Sequence, residues 1–326
     1  MDTAGTDSAP TRMRLPPRLE TAAGATRRLG VEIEFGDLTL ARVTEIVTGL
    51  YGGDVVACDA YRNRVEGTAL GDFLIELDVV YAHPEEGKSF ASEFEEKVAE
   101  TFGDVARSVV PMEIACPPIP LSDLGRLEAL VTALRQAGAT GTAQQLYYAF
   151  GCQLNPELAS LEAAFVFRQF QAWMLLEDWL RATAGRDLAR RLVAFANPFP
   201  RDYARAVIAR QDPPDWPAFI DSYLVDNPTR NRDLDLLPLM AHVDAARVRS
   251  RLDDKRIKSR PTFHYRVPDS RVDEPGWTLT EEWNRWVEVE LLAEDRERFE
   301  AMRAAFLAKS WSRAAWADET AQWLTG

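Results

Sequence analysis

The chain has 326 residues, and 38 Lys and Arg against 51 Asp and Glu leave a formal net charge of −13 at pH 7. So acidic a chain lacks the positive face that releases counterions from nucleic acid or meets anionic lipid headgroups, which excludes electrostatically driven DNA, RNA and membrane partners. Its 46% hydrophobic and 27% charged residues are those of a globular protein able to bury a core without disulfide or metal staples.

Residues 1–26 mix Thr, Ala, Gly, Pro and Arg without apolar periodicity, which predicts a disordered tail. That tail lacks the apolar stretch of a secretory signal, and no run of about 18 uncharged apolar residues occurs later, so the chain reads as cytoplasmic. Strand signals follow at 29–35, 62–67, 71–80 and 109–115. Between them, helical spacing of Leu40, Val43, Ile46, Val47 and Leu50 predicts a helix over 39–50, and Phe94, Val98, Phe102 and Val105 predict another over 90–109. Ser122, with Asp123 in the first turn, is the predicted N-cap of a helix over 121–137, and 146–154 reads as a further strand.

Asn155, Pro156 and Glu157 then combine a capping side chain, a first-turn proline and an acid on the helix dipole, predicting that a long helix starts there. With helices at 187–195, 201–209 and 215–225, separated by Asn197-Pro198, Pro213-Pro214 and Asn227-Pro228, residues 156–250 form a helical block. The strand at 261–267 is too short to stand alone and has to pair with the earlier ones. The prediction is therefore one α+β domain over 27–326, with the block as an insertion and C-terminal helices from about 280 to 324. Cys58, Cys116 and Cys152 form no CxxC pair and read as reduced thiols, with no disulfide framework or zinc site. A nucleophilic Cys152 would need a paired histidine that spacing does not supply.

Chemistry is concentrated on the strands. In Gly30-Val31-Glu32-Ile33-Glu34-Phe35, period two sends Glu32 and Glu34 to one face and the apolar residues to the other. Glu76 and Asp78 share a face of the 71–80 strand, Glu113 stands in the 109–115 strand, and His264 and Arg266 share a face of the last one. Any one of these faces is also what an ordinary solvated antiparallel strand presents. Together, the acids on neighbouring strands repel unless something neutralises them. A hard divalent cation with oxygen ligands, such as magnesium, is the natural neutraliser, and it commonly bridges to phosphates. Neither GxxxxGK[ST] nor GxGxxG occurs between a strand and a helix, so a nucleotide would have to lie on the sheet itself.

These segments resemble the amidoligase family of the glutamine synthetase and glutamate–cysteine ligase superfamily. Gly30 to Phe35 is similar to the family's opening strand with two metal-binding glutamates, Ile75-Glu76-Leu77-Asp78 to its second strand, and Glu113-Ile114-Ala115-Cys116-Pro117 to its glutamate followed by a small residue and proline. Phe150 to Asn155 takes the place of a Gly-x-His-x-His-like strand, and His264-Tyr265-Arg266 that of the closing Glu-x-Arg. The likeness runs in order through about 27–270, with two departures, Gln153 for a histidine and His264 for a glutamate.

The resemblance implies an antiparallel, glutamine synthetase-like sheet funnel that binds ATP and Mg2+, phosphorylates a carboxylate and lets an amine displace the phosphate. It implies Glu32, Glu34, Glu113 and Asp78 as metal ligands, and Arg266 as a phosphate or acyl-phosphate contact suited by its forked donors. His264 would orient a phosphate or accept the amine's proton. Arg260 and Lys258 close a basic run from Arg247 that reads either as a solvated face or as a nucleotide-facing loop. Asn231 and Arg232 are further candidates of that kind, while His83 and His242 read as structural. The partners implied are a small-molecule or peptide carboxylate and an amine. A sheet of this fold that binds a ligand or partner without turnover is the alternative, and a metal-dependent hydrolase lacks any HExxH or histidine-rich set.

Overall fold

The computed structural model describes residues 11–77, 111–142, 150–184 and 196–325. The alternation around Glu32 and Glu34 becomes strand β1 (Arg28–Phe35), whose Leu29, Val31, Ile33 and Phe35 are fully buried. After it come helix α1 (Leu40–Tyr51) and strands β2 (Asp54–Asp59), β3 (Arg62–Thr68), β4 (Gly71–Leu77), β5 (Met112–Ala115) and β6 (Ile119–Pro120). Helix α2 (Leu124–Gln136), β7 (Cys152–Pro156) and helices α3 (Ala163–Thr183), α4 (Arg201–Ala209) and α5 (Trp216–Asp226) follow. Then come β8 (Leu234–Asp235), α6 (Leu237–Val243), α7 (Ala245–Arg251), β9 (His264–Tyr265), α8 (Leu279–Glu294), α9 (Arg296–Ala308) and α10 (Arg313–Thr325).

The strands form one open antiparallel sheet in the order β2-β3-β4-β5-β1-β7-β9-β8, with β6 paired to β1. The strand that returns after the helical block does join the first half, through Leu154 opposite Tyr265. Helices line the apolar face. Helix α1, capped by Thr39, buries Val43, Ile46 and Val47, while Asn63 of β3 donates to its Thr44 and Tyr51 stacks on Phe73. Trp173 of α3 and Trp286 of α8 pack on Tyr265 of β9. The opposite face carries the acidic residues of β1, β4 and β5.

Several predicted boundaries move, for identifiable reasons. Asn155 and Pro156 do not start a helix. They end β7, opposite Gly30 and Leu29, and α3 begins only at Ala163. The Asn155 amide is committed to Glu32 and cannot cap. Ser122 likewise caps nothing: its hydroxyl donates to Asp123, and a 3-10 turn over Leu121–Asp123 precedes α2. Within the C-terminal helices predicted from about 280 to 324, Asp295 ends α8 and caps α9 at Arg298. Strand β2 went unread because its exposed DVVACD lacks alternation; it is entered through Gly53, where φ is +95° and a Cβ would lie 2.6 Å from the Glu66 carbonyl oxygen. Residues 11–26, read as tail, lie against α8, with Trp283 donating to the Arg14 carbonyl and Arg27 paired to Glu290. The helices predicted over 90–109 and 187–195 fall outside the described residues.

Candidate functional site

The acidic end of the polar face is set by register. Glu34 of β1 is directly opposite Glu113 of β5, and Glu113 is directly opposite Glu76 of β4, so three half-buried carboxylates stand in one row across three strands. Directly opposed residues on one face have Cβ atoms about 5 Å apart. Arg62 of β3 continues the row beside Glu76. Two residues along β1, Glu32 lies opposite Gln153 of β7. The Gly151 amide donates to Glu34 Oε2 at 2.6 Å, and Asn155 Nδ2 donates to Glu32 Oε1 at 2.9 Å. Sequence reasoning ranked Asp78 above Glu76; Asp78 lies outside the described residues, and the register gives Glu76 the central contact with Glu113.

At the other end, β9 presents His264 and, one residue beyond the strand, Arg266. His264 is directly opposite Asp235 of β8. Asp235 is fully buried and accepts from the Leu237 amide at 2.9 Å and from Arg266 Nη2 at 3.3 Å, with Arg230 Nε at 3.9 Å. Burial pushes its carboxyl above the usual range, against the pull of Arg266 and of the Leu237 amide. Burial also lowers the Arg230 guanidinium, with Arg266 adding like-charge repulsion. Arg256 is turned to Asp254 by two hydrogen bonds of 2.9 and 2.7 Å, and Asp254 in turn is sensed by Arg230.

The two ends are joined by side-chain amides. Gln153 Nε2 donates to Asn155 Oδ1 at 2.8 Å and meets His264 Nδ1 at 3.1 Å, so the chain runs Glu32, Asn155, Gln153, His264. The two residues that depart from the family pattern therefore touch. Burial, with Arg266, Arg260 and Arg230 nearby, holds the His264 imidazole well below its ordinary pKa. A small cleft beside this line is walled by Glu32, Glu34, Gly151, Gln153, Ala196 and Arg266.

Of the sequence-predicted residues, Glu32, Glu34, Glu113, His264 and Arg266 thus share one face with their strands adjoining. Arg260 is exposed, held by its backbone amide to the Pro238 carbonyl, and its charge acts on His264, whereas Lys258 is exposed two residues earlier. Arg232 is structural: it donates to the Pro198 carbonyl and lies over the Phe199 ring. Cys116 is buried, which drives its thiol pKa far up and removes it as a nucleophile. Sequence reasoning missed Arg230 and Asp235 and misplaced Asn155. An acid inside the apolar run from Leu234 to Leu239 was the available signal for Asp235.

All the donors at the acidic end are carboxylate oxygens, the set a hard cation such as magnesium prefers, and magnesium is usually held by one or two carboxylates together with waters and substrate phosphates. A row of this kind could offer such a cation one or two carboxylates from among Glu34, Glu113 and Glu76, with Glu32 alongside. Among the described residues, no group of three His, Cys, Asp or Glu side chains is placed to hold a metal ion. No helix among the described residues is long and apolar enough to cross a membrane.

Residues 25–288 match the family described as "Putative amidoligase enzyme". No curated protein and no solved structure matches the chain.

Proposed function

The chain belongs to that amidoligase family, and from this premise we propose that it is an ATP- and magnesium-dependent ligase joining a carboxylate to an amine through an acyl phosphate. The observation that carries this reading is the sorting of one sheet face into a carboxylate row and a guanidinium corner, joined side by side. We take the open antiparallel sheet as the floor of a glutamine synthetase-like funnel, with ATP lying across it.

In this scheme a substrate carboxylate oxygen attacks the γ-phosphorus of ATP and ADP leaves. The amine nitrogen then attacks the acyl carbon, the C–O bond to phosphate breaks, and the amine proton passes to phosphate or water. Magnesium, when bound, supplies neutralisation of the charge on the phosphoryl oxygens. Glu34, Glu113 and Glu76 would offer carboxylates to the cation, and the Gly151 amide fixes that of Glu34. Arg266, steadied by Asp235 and by its own amide bond to the Asp233 carbonyl, presents its fork to the transferred group. The chain's membership in the family points to a small-molecule substrate.

A second reading, a nucleotide- or ligand-binding protein without turnover, is favoured by the absence of a gathered three-ligand cage among the described residues. ADP release against a panel of amino acids, polyamines and peptides separates the two. The ligase reading expects magnesium-dependent release that falls at least 100-fold in Glu34→Gln and in Glu32→Gln, with circular dichroism unchanged. Magnesium–ATP binding with no ADP from any acid and amine pair supports the binding reading; loss of both binding and release removes nucleotide chemistry altogether.

A further inference from the structure

The amide line between Glu32 and His264 has only one consistent direction. A carboxylate offers lone pairs alone, so the Asn155 group facing Glu32 is its NH2, which leaves Asn155 Oδ1 to face Gln153. The Gln153 group facing Asn155 Oδ1 is then its NH2, and that same nitrogen meets His264 Nδ1 at 3.1 Å. Both hydrogens of the Gln153 amide are thereby committed, one to Asn155 and one to the imidazole. His264 Nδ1 must accept, which places the single ring proton of a neutral imidazole on Nε2.

His264 Nε2 is therefore an N–H donor in a residue only 6% exposed, and it has no hydrogen-bond partner among the described residues. A metal at Nε2 would have to displace that proton onto Nδ1, against the Gln153 amide, so His264 is unsuited to replace a metal-binding glutamate. The surrounding charge points to a different ligand. Arg266, Arg260 and Arg230 all act on His264, and Asp235 and Asp254 face Arg230, while Glu32 and Glu34 share the neighbouring cleft with Arg266. Arg230 Nε is also buried without a hydrogen bond among the described residues, with Asp235 Oδ2 3.9 Å away. Several guanidiniums around a buried neutral donor offer N–H groups in number, which suits the several oxygens of a phosphate better than the two of a carboxylate.

We propose that His264, through Nε2–H, and Arg230 form a seat for a phosphate group, and that Gln153, oriented from Glu32 by Asn155, is the positioning residue that holds His264 as a donor. The seat rests on the ligase reading only for which molecule carries the phosphate, ATP or the acyl phosphate.

The test uses the full chain labelled with 15N-histidine, in EDTA, with inorganic pyrophosphate as probe and acetate as control. The chain has three histidines, so the His264→Ala spectrum assigns the signal. The seat predicts the Nε2–H tautomer at pH 7, a shift of that proton on adding pyrophosphate, and little response to acetate. By calorimetry, His264→Ala and Arg230→Ala each weaken pyrophosphate binding about tenfold. Gln153→Met, which keeps the bulk and removes the donor, weakens it about threefold and lets the Nδ1–H tautomer appear. An Nδ1–H or doubly protonated ring in the unmodified chain at pH 7, or affinities unchanged in both alanine variants, overturns the proposal. An acetate response as strong as that to pyrophosphate overturns the assignment to phosphate. Pyrophosphate binding that behaves as described, in a chain that never releases ADP, would sink the ligase reading and leave the seat standing.

Discussion

The acidic and basic ends of the polar face are built from the same strand geometry but are held in opposite ways. Glu34, Glu113 and Glu76 are half-buried and brought into one row by backbone register, with the Gly151 amide on Glu34. At the other end Asp235 is sealed completely, and the guanidiniums of Arg266 and Arg230 are gathered around it. A side chain still in contact with water can meet an incoming cation at modest desolvation cost. A buried carboxylate can only serve its neighbours, so Asp235 fixes cations that themselves face outward. The face is thus sorted by charge: one end carries carboxylates in contact with water, the other guanidiniums gathered around a sealed acid.

The strongest way to break that comparison is at Asp235. Asp235→Asn keeps the acceptor for the Leu237 amide but leaves Arg266 and Arg230 without their shared charge. Removing one partner of a buried pair costs about 3–5 kcal/mol, and the lower figure applies because both guanidiniums retain some exposure. Urea unfolding should show a loss of about 3 kcal/mol with an unchanged m-value. A loss below about 1 kcal/mol would mean that the basic corner is held by packing and not by Asp235.

Much of the acidic end was legible in the sequence, and much of the basic end was not. Alternation in β1 names both Glu32 and Glu34 and their face, since a strand's period is a local property. Which acids become neighbours depends on register, so the row Glu34, Glu113, Glu76 had to wait for the pairing of β1, β5 and β4. Asn155 shows the opposite failure. Its local signals for a helix start were sound, but its place beside Gly30, where an added Cβ would lie 3.3 Å from the Asn155 Cβ, turns its amide onto Glu32 instead. Arg230 and Asp235 sit in short segments without periodicity, and only tertiary pairing with β9 gives them meaning.

A finer test asks whether the row acts as a unit at the acidic end. Glu113 is central, so Glu113→Gln should lower magnesium-dependent ADP release about 100-fold, whereas Glu76→Gln, whose other neighbour is Arg62, should lower it about tenfold. Magnesium titration of each variant is the check. Equal, small effects in both would dissolve the row as a cation site and leave Glu32 and Glu34 to act alone.

The smallest effect lies beneath the basic corner. There Glu177 and Asp178 of α3 and Asp233 are buried together, with Arg181 on Asp233, Arg201 on Asp178, and Arg313 on both Glu177 and Asp178. Burial and the neighbouring Asp233 push the Glu177 carboxyl up to about 8, against the pull of Arg313. Between the ordinary carboxylate pKa and about 8 the folded chain therefore holds a proton that the unfolded chain has lost. Stability contributed by this group is full below about 4.5 and declines as pH rises toward 8. The slope is at most about 1.4 kcal/mol per pH unit. His264, whose pKa is lowered, works in the other direction: its contribution is full above its ordinary pKa and is lost as pH falls below it. Unfolding measured from pH 6.5 to 8.5 keeps His264 out of the slope, and the difference between the unmodified chain and a Glu177 variant isolates Glu177 from other raised carboxyls such as Asp235. Glu177→Gln keeps an acceptor for the Phe199 amide and should flatten the decline in that range. If the variant keeps the unmodified chain's slope, the proton is not on Glu177, and Arg181, Arg201 and Arg313 balance all three buried acids as carboxylates.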